Sequence, residues 1–224
     1  MSLSKGISLR SYSKKLYPDP VPAIFRIKLD GLDADVTPIN TPTPIIGIER
    51  TDLKGYNFNG IDEYMNMPAY SSLMYGAHLC CSMTAWIKTS FMPSVGLSVL
   101  TTGSTTAGGN GFRFGMGADN KILLLTNNQF KSSAGTSINN GQWNCIGFKW
   151  DGSLLNFYLN GVPNGTLNQT ITGGFNVING ATTTRIASDA NSVARLFSGD
   201  IDGVRYYNRP LTDEEFLAIA NYKA

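Results

Sequence analysis

Paired carboxylates are the residues of this chain with the clearest potential for catalysis. Asp200 and Asp202 alternate along an apolar run, so both side chains would lie on one face of a strand. Two carboxyl groups about 5 Å apart can serve as nucleophile and acid/base in retaining glycoside hydrolysis. The adjacent Glu214 and Glu215 instead suit the first turn of a helix, where the macrodipole favours acidic groups. Positions 200 and 202 are therefore the candidate pair for acid/base chemistry.

A second group of residues has the chemistry of a sugar-binding surface. Its members lie on or beside predicted hairpin loops and are Phe112, Arg113, Asn127, Asn128 and Phe130. An aromatic ring can stack on a sugar ring, while amides and a guanidinium bond its hydroxyl groups. The alternative is that these are ordinary hairpin and core residues of a sheet.

The elements that must position these residues are short strands. Strand-like runs begin at residues 25–29 and continue at about 45–50, 55–59, 63–67, 82–89, 95–102, 111–116, 121–126, 143–150, 153–159, 183–188 and 199–207. Asn-Gly and Asp-Gly pairs between several runs can supply the positive φ angles of tight hairpins. Thr212 and Glu215 predict a capping box, with Leu211 and Phe216 as a hydrophobic staple, for a helix over 212–221. The pattern predicts an all-β, two-sheet antiparallel sandwich of jelly-roll type with one short C-terminal helix.

Four stretches resemble the laminin-G-like domains of the concanavalin A-like lectin/glucanase superfamily, and they occur in the family's order. They are FNG at 58–60 followed by Tyr64, MTAWIK at 83–88, QWNCIGFKWDG and LNFYLNG at 142–161, and FSGDIDGVRYYNRPLTDEEF at 197–216. The resemblance implies the same sandwich over residues 24–224. It also implies that Trp86 and Trp143 pack in the core, although a sugar-stacking platform is the functional alternative for them.

The resemblance also bears on chemistry. Superfamily members that cleave β-glucans carry an E-x-D-x-E pattern, which this chain lacks, while Asp200 and Asp202 match a structural G-x-I-D motif. It therefore implies a protein without catalytic residues. Several superfamily members bind Ca²⁺, and Asp35 and Asp202 resemble family positions that could supply oxygen ligands. The alternative is that both aspartates accept hydrogen bonds from nearby backbone. We expect no required cofactor, with Ca²⁺ as the metal to test.

Composition divides the chain into two regions. Residues 1–28 contain six basic residues and one acid, a net charge of +5, whereas the remainder of the chain carries −3. We therefore predict a basic N-terminal arm over residues 1–23, in which residues 1–22 contact other subunits of a homo-oligomer. The three cysteines do not suggest a disulfide framework. Without a secretory signal or a long apolar run, the sequence predicts synthesis in a reducing cytoplasm and no membrane span.

These observations predict a non-enzymatic carbohydrate-binding or adhesion module. We expect a glycan partner and neither nucleic acid nor membrane. A Thr-, Asn- and Gly-rich chain with a basic arm also suits display on a phage virion, as a head-fibre, tail or decoration protein. A purely structural virion protein docked through its arm is the alternative, and a glycoside hydrolase is a third hypothesis.

Overall fold

The computed structural model describes residues 55–67, 80–103, 111–177, 183–190 and 194–222, together with the backbone of short strands at 25–27, 37–39, 43–44 and 76–77. The elements are β1 Phe25–Ile27, β2 Thr37–Ile39, β3 Thr43–Pro44, β4 Tyr56–Asn59, β5 Tyr64–Asn66, β6 Gly76–Ala77, β7 Cys81–Lys88, β8 Leu97–Thr102, β9 Phe112–Met116, β10 Ile122–Thr126, β11 Gln129–Ser132, β12 Trp143–Trp150, β13 Leu155–Leu159, β14 Val162–Pro163, β15 Asn176–Val177, β16 Thr184–Ile186, β17 Ser198–Tyr207 and α1 Asp213–Asn221. The predicted arm (1–23), the predicted strand at 45–50 and Asp35 lie outside the described residues.

Two antiparallel sheets form the sandwich, as the sequence predicted. One is eight-stranded, in the order β14-β13-β12-β7-β17-β4-β3, with β1 also paired to β17. The other is seven-stranded, in the order β11-β10-β9-β8-β16-β5-β2. Strands far apart in sequence are neighbours in both sheets, so most of the ladder contacts are long-range.

The core lies between the sheets and follows from the two-residue period of each strand. Met83, Ala85 and Ile87 of β7 point into it, and so do Phe112 and Phe114 of β9. Phenylalanine side chains such as these contribute roughly 1.5–3 kcal/mol each when buried. The core is therefore large enough to hold the sandwich together without a disulfide, and the three cysteines are indeed free.

The helix packs on the outer face of the eight-stranded sheet. Its capping box is formed as predicted, since Thr212 accepts a hydrogen bond from Glu215 N and the Glu215 side chain accepts one from Thr212 N. The Phe216 ring stacks on Tyr158 with ring centres 3.8 Å apart and planes within 4°. A second apolar cluster thus lies between helix and sheet, separate from the main core.

The predicted position of Trp86 and Trp143 in the main core is wrong. Trp86 is buried, but it belongs to the cluster beneath the helix rather than to the space between the sheets. Trp143 is only partly buried and packs beside it. The reason is strand parity, because the inward positions of β7 are those of Met83, Ala85 and Ile87. The tryptophan between the sheets is Trp150, at the far end of β12.

Candidate ligand-binding groove

A groove of about 570 Å³ opens on the outer face of the eight-stranded sheet. Strands β4, β17 and β7 run side by side beneath it, and the loop after β7 forms one wall. Asn57, Asp200 and Lys88 form a row across its floor, because Asn57 pairs with Asp200 and Asp200 pairs with Lys88 in the strand register. Neighbouring strands are about 4.8 Å apart, so the row brings an amide, a carboxylate and an ammonium within reach of one small ligand.

Alternation in β4 explains why polar groups line the floor. Tyr56 and Phe58 point into the core, which leaves Asn57 and Asn59 exposed on the outer face. In β17, Ile201 points inward and Asp200 outward by the same rule. The apolar residues of each strand therefore determine which polar residues face the groove.

The wall of the groove is held against the floor by Thr89. Its hydroxyl group donates to the carbonyl of Ser198 at 2.7 Å and accepts a hydrogen bond from Phe91 N at 3.0 Å. Gly199 allows this close approach, because a Cβ there would lie 2.3 Å from the carbonyl oxygen of Lys88. Its φ of +132° also disfavours other residues.

The groove combines unused polar atoms with an apolar wall. Asn57 donates its amide to Oδ1 of Asp200 at 2.6 Å. Oδ2 of Asp200 accepts no hydrogen bond from the described residues. Phe91 and Met92 on the wall are 47% and 74% exposed. Hydrogen-bonding groups beside an exposed ring suit a ligand with several hydroxyl groups and an apolar face.

Family comparison assigns the fold to a known superfamily. A laminin G family model, described as the concanavalin A-like lectin/glucanases superfamily, matches residues 59–216. This chain belongs to that superfamily. No curated protein sequence matches it.

Solved structures of similar fold come from carbohydrate-related proteins. Domain 4 of AbnA, a GH43 extracellular arabinanase from Geobacillus stearothermophilus in complex with arabinotriose, is 17% identical with a TM-score of 0.61, and the match covers 83% of this chain and 88% of that domain. The NanB sialidase of Streptococcus pneumoniae (K499G mutant) is 16% identical with a TM-score of 0.56. That match covers 73% of this chain but only 27% of the sialidase, so the superfamily domain corresponds to about a quarter of that enzyme. At these identities the likeness shows the fold alone.

The predicted sugar-binding residues of this superfamily member separate into two groups. Arg113 and Phe130 are brought together on the outer face of the seven-stranded sheet, with the guanidinium 5.8 Å from the ring centre. Phe112 is not with them: it is fully buried in the core, where its ring centre is 5.2 Å from that of Phe175. Phe112 and Arg113 are adjacent in β9 and so point to opposite faces, which makes Phe112 unavailable to a ligand.

Asn127 and Asn128 form the turn between β10 and β11. Both have positive φ angles, 47° and 57°, as a two-residue hairpin turn requires. The Asn127 amide donates to the carbonyl of Gly174 at 2.7 Å, so that side chain supports the turn. Asn128 is exposed at the tip of the hairpin. Neither residue lines the groove described above.

The predicted calcium ligands are only partly described. Asp202 is 7% exposed, and its Oδ1 accepts a hydrogen bond from Gly203 N at 2.6 Å. Within the described ranges, no three His, Cys, Asp or Glu residues come together as a metal site would need. Of the two predicted ligands, the structure therefore describes only the Asp202 carboxylate, because Asp35 lies outside the described residues. Calcium binding through Asp35 and Asp202 stays a prediction.

Sequence reasoning missed the groove, although a signal for it was present. The sequence groups Asp200 with Asp202, either as a pair of acids or within a structural G-x-I-D motif, yet Asp202 does not line the groove. The partner that Asp200 has in the structure is Asn57, from a strand more than 140 residues earlier. The alternating Tyr-Asn-Phe-Asn of β4 marks Asn57 and Asn59 as outward-facing. It does not show which strand lies next to them.

Proposed function

We propose that this protein is a non-enzymatic carbohydrate-binding module and that the groove over Asn57 and Asp200 holds the saccharide. The supporting observation is that Asp200, whose Oδ2 accepts no hydrogen bond from the described residues, and the Asn57 amide line the same groove as the exposed Phe91. The superfamily and the arabinotriose-bound domain of similar fold agree with this class of ligand. A shallow groove buries little of a sugar, so we expect an affinity of about millimolar per site.

We propose binding without hydrolysis, because Asp200 is the one acidic residue among the described residues that line the groove. Retaining hydrolysis needs two carboxyl groups that converge on one bond. Asp200 accepts a hydrogen bond from the Asn57 amide. The Asp202 carboxylate accepts one from the Gly203 main-chain N–H and does not line the groove. Incubation with a bound oligosaccharide should release no new reducing ends.

A titration with neutral oligosaccharides tests the site. A glycan array identifies the tightest ligand, and arabinotriose is a sensible first probe. Asp200→Asn should weaken binding of that ligand at least tenfold, since it removes the charged acceptor, and Asn57→Ala should act in the same direction. Glu214→Gln is the matched control, because it removes an exposed acid of the helix far from the groove. Equal binding by all variants would refute the groove. The absence of any binding across the array would instead favour a purely structural protein.

We further propose that the module is displayed in several copies on an exterior surface such as a phage virion, tethered through its basic N-terminal region. Multivalent display would convert weak binding at each groove into firm adhesion through effective concentration. The support is the composition of the chain and the net charge of +5 over residues 1–28.

A further inference from the structure

We propose that the outer face of the seven-stranded sheet is a second binding site, selective for a carboxylated saccharide, in which Arg113 binds the carboxylate and Phe130 stacks on the sugar ring. This site lies on the opposite sheet from the groove and does not depend on binding there. Four observations carry the proposal: a row of side chains across the sheet, an excess of positive charge, two unpaired donors on a buried arginine and an exposed ring above it.

A row of outward-facing residues crosses the sheet at right angles to its strands. In order it contains Asn66, Arg185, Thr101, Arg113, Leu125 and Phe130, each directly opposite the next in the strand register. Adjacent strands are about 4.8 Å apart, so the row extends over roughly 24 Å. Phe130 is the exposed end of this row at the edge of the sheet, whereas Thr101, Arg113 and Leu125 are buried.

The middle of this row is positively charged. Arg113 Nη1 lies 3.5 Å from Oδ1 of Asp189, and Arg195 Nε lies 3.1 Å from Oδ2 of the same residue. Arg185 donates to the main-chain carbonyl of Asp189 at 2.8 Å. Two guanidinium groups thus share the Asp189 carboxylate while a third bonds the main chain of the same residue, and this group of four side chains carries a net charge of +2.

Arg113 is only 1% exposed, yet two of its donors are unpaired. Nε and Nη2 have no hydrogen-bond partner among the described residues. These are the two N–H groups that point the same way along one edge of the guanidinium, which is the edge that binds a carboxylate through two parallel hydrogen bonds. Burial lowers the pKa of Arg113 although Asp189 opposes the shift. The single 3.5 Å contact to Asp189 does not satisfy the buried positive charge of the guanidinium. Its edge formed by Nε and Nη2 has the geometry that binds a carboxylate.

Phe130 provides both access and specificity. Its ring lies over the guanidinium and is 61% exposed, and its strand β11 is the edge strand of the sheet. Access to Arg113 would require this side chain to rotate, a movement that breaks no hydrogen bond of the ladder. The same ring can then stack on the face of a sugar whose carboxylate occupies the free edge of Arg113. A saccharide uses both features, whereas an acidic peptide would use only the charge.

Trigalacturonate and its fully methyl-esterified form are a matched pair of probes, because esterification removes the negative charges, adds one methyl group to each carboxyl and leaves the sugar rings unchanged. By calorimetric titration of the full chain, trigalacturonate should bind at least tenfold more tightly than the ester. Arg113→Lys should reduce that preference at least threefold, since it keeps the charge but lacks the edge that forms two parallel hydrogen bonds. Phe130→Ala, at an exposed position that should not disturb folding, should weaken trigalacturonate binding at least fivefold.

Glu214→Gln, which removes an exposed acid of the helix outside both sites, is the control variant and should leave trigalacturonate binding unchanged. In the wild-type protein, the Nε–H resonance of Arg113 should shift on addition of trigalacturonate, a readout that does not rely on any variant. Equal affinity for acid and ester, or binding unaffected by Phe130→Ala, would overturn the proposal. An acidic peptide that binds as tightly as trigalacturonate would overturn its assignment to a saccharide.

Discussion

At the scale of single residues, Gly147 shows how one missing side chain lets two elements meet. It lies on the outward face of β12, and a Cβ at this position would be 2.8 Å from Cε1 of Phe216 and 3.0 Å from the carbonyl oxygen of Met83. The Phe216 ring can therefore lie flat on Tyr158 only because position 147 is a glycine.

Gly147→Ala should destabilise the protein by about 1–3 kcal/mol, the usual effect of an added methyl group in a packed region. Urea unfolding followed by tryptophan fluorescence measures the change. Phe216→Leu lacks the clashing ring edge and serves as the partner in a double-mutant cycle. Strictly additive effects of the two changes would contradict the contact.

At the scale of secondary-structure elements, a small polar network also holds the helix against the sheet. The carboxylate of Asp213 accepts hydrogen bonds from the Tyr158 hydroxyl at 2.6 Å and from Lys149 Nζ at 2.9 Å. The hydrogen bond from Tyr158, followed by that from Lys149, holds the pKa of Asp213 below its ordinary value. The guanidinium of Arg209 likewise lowers the pKa of Glu215 in the capping box. Burial raises the pKa of Tyr158 to about 12, so its hydroxyl stays a donor.

This network predicts acid sensitivity of helix docking. A carboxyl group whose pKa is lower in the folded state stabilises the fold above its ordinary pKa, and this contribution is lost as pH falls through the folded value. Stability should therefore decline as pH falls below about 5. Asp213→Asn should reduce this decline, measured as urea midpoints between pH 6 and pH 3. Lys149→Met, which removes one donor to Asp213, should reduce it in the same direction. The same acid dependence in Asp213→Asn and wild type would contradict the role of the network.

At the scale of the whole molecule, the two proposed binding surfaces lie on opposite outer faces of the sandwich. The main core between the sheets keeps them in fixed relation, and Phe58 belongs both to that core and to the lining of the groove. Each surface uses the outward-facing positions of strands whose inward positions form that core. In the described part of the chain, no helix is long and apolar enough to cross a membrane.

Removal of residues 1–22 tests the proposed tether. The full chain should be oligomeric by light scattering, whereas the shortened chain should be monomeric. Its melting temperature should be unchanged, because the core of the described residues is built from other parts of the chain. Binding to a surface coated densely with the glycan should fall at least tenfold, while the affinity in solution for a single oligosaccharide should remain the same. A full chain that is monomeric at micromolar concentration would contradict the tether.

Sequence by itself determined the class of fold and much of its detail. Alternating apolar residues, turn residues and the capping box act locally, so each can be read from a short stretch of chain. The two-sheet sandwich, the C-terminal helix with Thr212 as its cap, and the superfamily all followed from such stretches. Arg113 and Phe130 were predicted only as two of five candidate sugar-binding residues, and their contact depends on the meander of β9, β10 and β11.

Only the tertiary structure decided which distant strands became neighbours and which face each strand turned inward. The face that each strand turns toward the core placed Phe112 between the sheets and Trp86 beneath the helix. A one-residue shift in strand register would have exchanged the inward and outward side chains. The pairing of β4 with β17 brought Asn57 to Asp200 and created the groove. Such pairing depends on the combined burial of both sheets rather than on any local signal, and for that reason the groove could not be read from either strand alone.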